Sequence, residues 1–441
     1  MNFSNRKRWF GLVLALFVGM ISTSSPFQHF AAFPNELRLF AGQMKHLNYE
    51  MPVQAKVDVD PHVLQVNGSH NQSIRVDLRK PLSIAPLHSG QTEMKLKLFG
   101  KIPFKTVKVN VVPDLKVIPG GQTIGVKVKS AGIMVVGHHQ IRKKDGSMVS
   151  PGEGAGVKLG DLIVKVNGGY YNEVGKLAAL VKEAGEKKQL LHLTVKRKGE
   201  LLQRTIAPTF DEMDQAWRLG LYIRDSAAGV GTLTFYAPDQ GVYGALGHVI
   251  TDMDSQQSIE VDSGEIVQSN VMSINKSHSG EPGEKRAQFV KHGKILGNVL
   301  NNTAFGIFGK MTELPSHSFN MKPVPIGFAE DVKEGPAHIL TVIEGQKVEK
   351  FDIEIAHVTK QSVPATKGMV IKITDPRLLE STGGIVQGMS GSPIVQNGKL
   401  VGAVTHVFVN DPSSGYGCFI EWMLQDAGVL LKPNETHYRA G

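Results

Sequence analysis

The stretch Gly383–Val407, GGIVQGMSGSPIVQNGKLVGAVTHV, decides the fold of the C-terminal part of the chain. Its second half consists of two short apolar runs, SPIVQ and KLVGAV, which are joined by Asn397 and Gly398. An Asn-Gly pair between apolar runs is typical of a two-residue type I′ turn, because both positions require a positive φ. The stretch therefore predicts a β-hairpin that follows a turn rich in glycine and serine.

That turn, GMSGSP from Gly388 to Pro393, resembles the nucleophile turn of chymotrypsin-like serine peptidases. The resemblance implies that Ser390 is the nucleophile. Glycine lets the backbone N–H groups of Gly388 and Ser390 point inward, where they can form an oxyanion hole for a tetrahedral intermediate. The alternative is a tight turn that carries no chemistry.

A serine hydroxyl is a weak nucleophile until a general base accepts its proton. His248, in the segment GALGHVITD, resembles the histidine segment of the same peptidases and is the predicted base. His406 is a rival, but it lies on a strand that should border the substrate cleft and is interpreted either as structural or as supporting a residue of the site. His357 stays open as a further alternative, whereas His138 and His139 belong to an earlier module.

A third residue must orient the imidazole and stabilise its protonated form. From Lys285 to Thr312 the chain has no Asp or Glu, so Asp375 in VIKITDPRLL is the predicted acid. Asp252 and Asp352 are the fallback candidates. The alternative for Asp375 is a strand-end or turn residue before Pro376, which is a common position for Asp.

Composition excludes several classes of protein. The chain has 441 residues and a net charge of +9, with 49 Lys and Arg against 40 Asp and Glu. Its basic residues are scattered without interleaved aromatics or a helix-turn-helix pattern, so no nucleic-acid partner is expected. Cys418 is the single cysteine, which excludes an intrachain disulfide and a cysteine-based zinc site. We expect no metal and no cofactor.

Residues 1–30 have the layout of an N-terminal membrane anchor or signal segment. Arg6, Lys7 and Arg8 precede the uncharged apolar run Trp9–Ile21. Basic residues before an apolar run stay on the cytoplasmic side, so the rest of the chain should be exported. Because Pro26 fits a signal-peptidase site poorly, an uncleaved anchor is favoured over a removed signal.

Two modules should follow this segment. Residues 31–111 alternate apolar and charged side chains with period two and predict a small all-β region. Residues 112–208 resemble a PDZ domain, in the phrases IGVKVKSAGIMVVG and GVKLGDLIVKVNG and in a helical pattern after them. The resemblance implies that Ile124, Gly125 and Val126 form a loop that binds a peptide carboxylate. A generic α+β module with a Gly-rich turn is the alternative.

After Pro208 the chain contains short, glycine-punctuated β runs, which favour a barrel or sandwich. The predicted fold is therefore mainly β: a small β domain, a PDZ-like α+β module, and a chymotrypsin-like double β-barrel peptidase domain over residues 216–437.

The whole arrangement resembles the stage IV sporulation protein B peptidases of endospore-forming Firmicutes. The resemblance rests on GALGHVITD and on GGIVQGMSGSPIVQNGKLVGAVTHVFVNDPSSGYG. It implies an exported serine endopeptidase that crosses the forespore membrane and acts between forespore and mother cell. There it would cleave an inhibitory membrane protein, so that an intramembrane metalloprotease activates a pro-sigma factor. It also assigns His248, Asp375 and Ser390 as the catalytic residues.

Two further expectations complete the interpretation. Self-cleavage is expected between Phe27 and Glu50, and the PDZ-like module is expected to bind a peptide ligand, which can belong to the chain itself. The alternative function is an exported PDZ adaptor whose peptidase-like barrel is catalytically inactive.

Overall fold

The computed structural model describes residues 36–47, 51, 53–290, 294–314, 322–361 and 363–430. The chain divides into two compact units, one ending at Leu115 and the other beginning at Lys116. The predicted anchor at residues 1–30 lies outside the described residues. Within the described residues, no helix combines the length and the apolar character needed to cross a membrane.

The first unit is built from β-strands. Its alternating sequence explains the fold, since Met94 and Leu96 are buried on one face of the strand Gly90–Leu98 while Glu93 and Lys95 are exposed on the other. Two sheets have the strand orders β1-β8-β7-β3-β5 and β2-β6-β4. The strands are β1 Glu36–Phe40, β2 Lys45–Leu47, β3 Gln54–Asp58, β4 Leu64–Val66, β5 Ser73–Asp77, β6 Leu82–Pro86, β7 Gly90–Leu98 and β8 Ile102–Val112.

The second unit begins with a short strand and then a module that contains most of its helical residues. Its elements up to residue 218 are β9 Lys116–Pro119, β10 Thr123–His138, β11 Ile141–Arg142, β12 Met148–Val149, α1 Pro151–Gly154, β13 Leu162–Val166, β14 Gly169–Tyr170, α2 Val174–Glu186, β15 Leu191–Arg197, β16 Glu200–Ile206, β17 Thr209–Asp211 and β18 Ala216–Arg218.

The rest of the second unit is again mainly strands. Its elements are β19 Leu221–Ala237, β20 Val242–Ala245, β21 Val261–Asn275, β22 Glu284–Phe289, β23 Ile295–Asn298, β24 Asn301–Thr303, β25 Gly306–Lys310, β26 Val324–Pro325, a 3₁₀ turn Ala329–Asp331, β27 Gly335–Val342, β28 Val348–Val358, β29 Met369–Ile373, α3 Pro376–Thr382, β30 Pro393–Gln396, β31 Lys399–Phe408, β32 Asp411–Phe419 and α4 Ile420–Asp426.

A large sheet with the path β16-β15-β13-β10-β19-β20-β25-β24 runs through the region that resembles a PDZ domain and into the region that follows it. Strands β10 and β19 are long and antiparallel, and each strand contributes residues to both regions. The first half of β10 also pairs with β21. The predicted boundaries at 112–208 and 216–437 therefore separate strands that hydrogen-bond to each other. Residues 139–220 lie between β10 and β19 along the chain, and residues 124–129 of β10 pair with both β19 and β21.

The C-terminal half forms a closed six-stranded barrel in the order β27-β28-β29-β32-β31-β30. The predicted hairpin is β30 and β31, and its turn residues Asn397 and Gly398 have φ values of 51° and 75°, as a type I′ turn requires. The prediction of a mainly β fold is confirmed. In the described residues, β27–β32 form one closed barrel, while β20, the strand just before His248, belongs to the large sheet.

Candidate active site

The turn that carries Ser390 has little room for side chains. Gly388 and Gly391 have φ values of +91° and +93°, a region that favours glycine. Ser390 lines a cavity of about 820 Å³, and its hydroxyl donates a hydrogen bond to Thr405 O at 2.8 Å. The hydroxyl is therefore hydrogen-bonded to the barrel strand β31 and must rotate away from it before it can attack a substrate.

Two backbone amides beside Ser390 are unpaired. In the described part of the chain, neither Gly388 N–H nor Ser390 N–H donates a hydrogen bond, although the N–H of Met389 bonds to Val386 O. Across a planar trans peptide the N–H and C=O point in opposite directions. The C=O of Met389 accepts from Ser392 N–H inside the turn, so the Ser390 amide faces the other way.

Thr232, on β19, secures the same turn from behind. Its N–H donates to Ser390 O at 3.0 Å and its hydroxyl donates to Gly388 O at 2.7 Å. Gly388 and Ser390 also line the cavity. Both carbonyls thus point to Thr232 while both amides stay unpaired, which is the arrangement that an oxyanion hole requires.

His248 lies just after β20 and lines the same cavity as Ser390. Its Nδ1 is 2.8 Å from Val249 O, and because a carbonyl can only accept, Nδ1 carries the hydrogen. Nε2 then keeps a lone pair, as a general base needs. Burial lowers the pKa of His248, with the bond to Val249 acting weakly in the opposite direction. The imidazole is therefore neutral at neutral pH.

His406, the rival base, also lies in the cavity. Its ring centroid is 5.3 Å from that of His248, with a tilt of 41° between the rings. Burial is the main cause that lowers the pKa of His406, and the proximity of His248 lowers it further. Two imidazoles this close disfavour each other's protonation. His406 is placed to influence His248, and the Ser390 hydroxyl bonds to the carbonyl of the residue before it.

Asp375, the predicted acid, does not lie beside His248. It is the N-cap of α3, where it accepts from Arg377 N–H at 2.9 Å. Its other oxygen is 2.8 Å from Arg377 Nη2, and it also accepts from Asp352 N–H at 3.3 Å. Its hydrogen bond to the Arg377 side chain is the main cause that lowers the pKa of Asp375. The structure does not bring this carboxylate to His248, because a helix end and a cation already occupy it.

The fallback acids have other partners as well. Asp252 lines the cavity, but its carboxylate accepts from Ser255 N–H at 2.8 Å and from Arg224 at 3.1 Å. The backbone of Asp352 is hydrogen-bonded to Asp375: its N–H donates to the Asp375 carboxylate, and its C=O accepts from Asp375 N–H. His357 pairs with Glu334 at 3.0 Å. Among the described residues, the partner that orients the His248 imidazole is the carbonyl of Val249.

Ile124, Gly125 and Val126 do not form a carboxylate-binding loop. They lie inside β10, where they pair with residues 229–231 of β19 on one side and with residues 266–268 of β21 on the other. Their backbone groups are therefore used in two ladders, and Ile124 is fully buried in the core. A Cβ on Gly125 would meet the ring of Phe289, which leaves no space for a ligand.

The chain itself fills the interval between β10 and helix α2. Residues 221–224 of β19 pair antiparallel with residues 134–138 of β10. Ser130 donates to the carbonyl of Asp225 at 3.2 Å, and the Asp225 carboxylate accepts from Val174 N–H, at the first residue of α2, at 2.8 Å. In the PDZ family a bound peptide pairs antiparallel with a strand in this way.

A cluster of possible metal ligands lies in the PDZ-like module. Ligand atoms of His139, Asp211 and Asp214 lie within 4.8 Å of one another. His139 Nε2 bonds to Asp211 at 3.3 Å and its Nδ1 bonds to Tyr222 at 3.1 Å, while Arg218 pairs with Asp214. Each group thus has a partner within the protein, and the arrangement is explained as a hydrogen-bonded cluster.

Sequence reasoning missed the residues that support the Ser390 turn from behind. Thr232 donates to Gly388 O, Thr341 accepts from the Ser392 hydroxyl, and Lys285 packs against Gly388 and donates to Thr341. Lys285 lies in the run GEKRAQF, where it stands between two charged residues. Because all three consecutive residues are charged, the pattern contains no signal that the middle side chain points inward.

The comparisons with known proteins identify the C-terminal part. Residues 215–424 match the family model SpoIVB peptidase S55, a match that includes His248, Asp375 and Ser390. No curated protein matches the chain.

Among solved structures the chain is similar to the Rv3671c protease from M. tuberculosis in its active form. The identity is 15% and the TM-score 0.26, over 46% of this chain and 76% of that chain. It is also similar to the C-terminal domain of the Streptococcus agalactiae AgI/II polypeptide BspA, at 7% identity and a TM-score of 0.11, over 53% and 90% of the two chains. At these TM-scores the assignment rests on the family match.

That match confirms the resemblance drawn from the segments around His248 and Ser390. The chain carries a SpoIVB peptidase S55 domain over residues 215–424, and it is a serine peptidase.

Proposed function

We propose that the chain is an exported serine endopeptidase of narrow specificity that acts in sporulation signalling. Its substrate would be an inhibitory membrane protein in the space between forespore and mother cell, whose cleavage lets an intramembrane metalloprotease activate a pro-sigma factor. The observation that carries the catalytic part is that Ser390, two unpaired amides and a neutral His248 line one cavity. The export and the signalling role follow from the N-terminal segment and from the family resemblance.

The reaction would proceed through an acyl-enzyme. The Ser390 hydroxyl leaves Thr405 O, turns toward the substrate carbonyl carbon, and gives its proton to Nε2 of His248 as the new C–O bond forms. The amides of Gly388 and Ser390 stabilise the oxyanion. His248 then donates the proton to the leaving amine as the C–N bond breaks, and the same steps with water release the acid product.

A fluorophosphonate probe tests this proposal directly. Mass spectrometry of the labelled full-length protein should place the adduct on Ser390, and His248→Ala should abolish labelling. Ser263→Ala, on the exposed face of β21, is the matched control and should label like the wild type. A folded wild-type protein that takes no label would favour the inactive adaptor instead.

We also propose that the ligand of the PDZ-like module is internal, namely residues 221–225 of β19. The support is the antiparallel pairing with β10, the Ser130 bond to Asp225 O, and the Asp225 bond to the start of α2. Because β19 continues to Thr232, which holds Gly388 and Ser390, the module would brace the nucleophile turn.

Self-cleavage would fall before the first sheet. Residues Glu36–Phe40 form β1 and pair with β8, and a strand held in a ladder cannot enter an active site in extended form. Within the expected interval we therefore propose a site between Phe27 and Asn35. Amino-terminal sequencing of the processed product should find a new end in that range, and the end should be absent from Ser390→Ala.

A further inference from the structure

Lys285 is a buried cation that takes no part in the reaction steps proposed above. It lies on β22, its residue exposure is 5%, and its ammonium donates to Thr341 Oγ1 at 2.8 Å. Burying an ammonium is costly unless it is paired with an acid and hydrogen-bonded. Among the described residues, the partner of its ammonium is that single hydroxyl. Burial lowers the pKa of Lys285 to about 7.

The charged groups on the surrounding elements have partners elsewhere. On β22 itself, Glu284 pairs with Arg286. On β28, beside Thr341, Glu349 pairs with Lys347, and on β27 the imidazole of His338 is near Lys350 and Asp352. On β21, the residues that pair with β22 beside Lys285 are uncharged, namely Ser273, Ile274 and Asn275.

Lys285 is attached to the Ser390 turn through its backbone. Its N–H donates to Gln387 O at 2.9 Å, and Gln387 N–H donates to Gly283 O at 2.8 Å. Because the Gln387 carbonyl points at Lys285, the N–H of the same peptide, which belongs to Gly388, points away from it. This direction leaves the Gly388 amide unpaired.

The side chain adds two further contacts. Its stem packs behind Gly388, where a Cβ would lie 3.2 Å from Lys285 Cβ. Thr341, which accepts from the ammonium, also accepts from the hydroxyl of Ser392 at 3.1 Å. Lys285 thus contacts the turn at its beginning, and through Thr341 at its end.

We propose that Lys285 is a positioning residue for the oxyanion hole: in its protonated form it holds the turn Gly388–Ser392 from behind, so that the two amides keep facing the cavity. This inference rests on the oxyanion role of Gly388 and Ser390. A charge-assisted hydrogen bond is about twice as strong as a neutral one, so loss of the proton loosens the link to Thr341. A positive charge behind the turn also favours the negative charge that develops in the transition state.

The test is the pH profile of kcat and KM of the full-length protein on a peptide substrate. Activity of the wild type should rise as His248 loses its proton and fall as Lys285 loses its own, with the alkaline midpoint near 7. Lys285→Met, which keeps the stem without the charge, should lower kcat about 10- to 100-fold, since removal of a whole donor costs about 100- to 1,000-fold. KM should stay within about twofold, and the alkaline decline should disappear because no titrating group remains there.

Two variants keep the test decisive. Thr341→Val removes the acceptor but keeps the amine, so it should move the alkaline midpoint to lower pH. If Lys285→Met does not fold, this shift alone tests the proposal. Arg286→Met, an exposed cation on the same strand, should keep the wild-type profile. An alkaline decline that persists in Lys285→Met or stays in place in Thr341→Val would overturn the proposal. Failure of wild-type Ser390 to take a fluorophosphonate would instead overturn the proposed catalytic function.

Discussion

Gly391→Ala should disrupt the contact between the Ser390 turn and the segment that leads to His248. Gly391 has a φ of +93°, and a Cβ there would lie 2.5 Å from Leu246 N and closer still to Thr232 O. Leu246 leads directly to His248, and Thr232 holds the Ser390 turn. Both neighbours are backbone atoms, so neither can rotate away to admit the methyl group.

The loss of stability expected for Gly391→Ala has two contributions. A non-glycine residue in the left-handed region costs about 1 to 2 kcal/mol. Overpacking a closed site costs a further 1 to 3 kcal/mol, roughly. Gly398→Ala is the matched control, because Gly398 has a φ of +75° and nothing within 4 Å of the added Cβ. The two variants share the backbone strain, so their difference isolates the packing cost.

Thermal unfolding and the rate of fluorophosphonate labelling are the two assays. For a domain of this size each kcal/mol shifts the unfolding midpoint by about 2 to 4 °C, so Gly391→Ala should unfold roughly 2 to 12 °C below Gly398→Ala. Labelling of Gly391→Ala should slow by about 100-fold, the cost of a misplacement of roughly 1 Å. Gly398→Ala should label at the wild-type rate. Equal midpoints and equal labelling rates for the two variants would refute the reasoning.

Three further predictions concern single side chains. Asp375→Ala should lower the free energy of unfolding in urea by about 1 kcal/mol through loss of the α3 cap, whereas Asp375→Ser should retain most of it; a loss of about 10⁴-fold in kcat with unchanged stability would instead assign Asp375 to the triad. The acid limb of kcat/KM should have its midpoint below pH 6.5, because burial lowers the pKa of His248 and activity requires its neutral form. His406→Asn should keep activity within about tenfold, whereas His248→Asn should lose about 10⁴-fold or more. The reverse order would make His406 the base. Asp225→Ala should increase hydrogen exchange at the start of α2 and along residues 221–225, because it removes the 2.8 Å bond to Val174 N–H; unchanged protection would contradict an internal ligand.

Local signals predicted local structure well. The Asn397-Gly398 pair and its flanking apolar runs predicted the β30–β31 hairpin, and the structure has both positive φ values that the turn requires. The glycines around Ser390 predicted unpaired inward amides, and those amides are unpaired in the described residues. The alternation in residues 31–111 likewise predicted strands with one buried face. In each case the property belongs to residues that are neighbours in the chain.

Long-range pairing decided what the sequence could not. Ile124, Gly125 and Val126 have the composition of a binding loop, but pairing with residues 229–231 and 266–268 makes them a central strand. Asp375 lies where a triad acid was expected along the chain, yet the nearby Arg377 guanidinium and the helix end engage its carboxylate first.

The amino-acid sequence by itself determined the β-rich character, the hairpin and the glycine-rich turn that carries Ser390, because turn chemistry and side-chain alternation act over a few residues. Only the tertiary structure decided that β10 pairs with the distant strand β19, that Ile124, Gly125 and Val126 lie in a central strand, and that Lys285 is buried behind Gly388. The reason is that these features depend on which distant strands meet, and a run of charged residues such as Glu284, Lys285 and Arg286 does not specify which side chain will face the core.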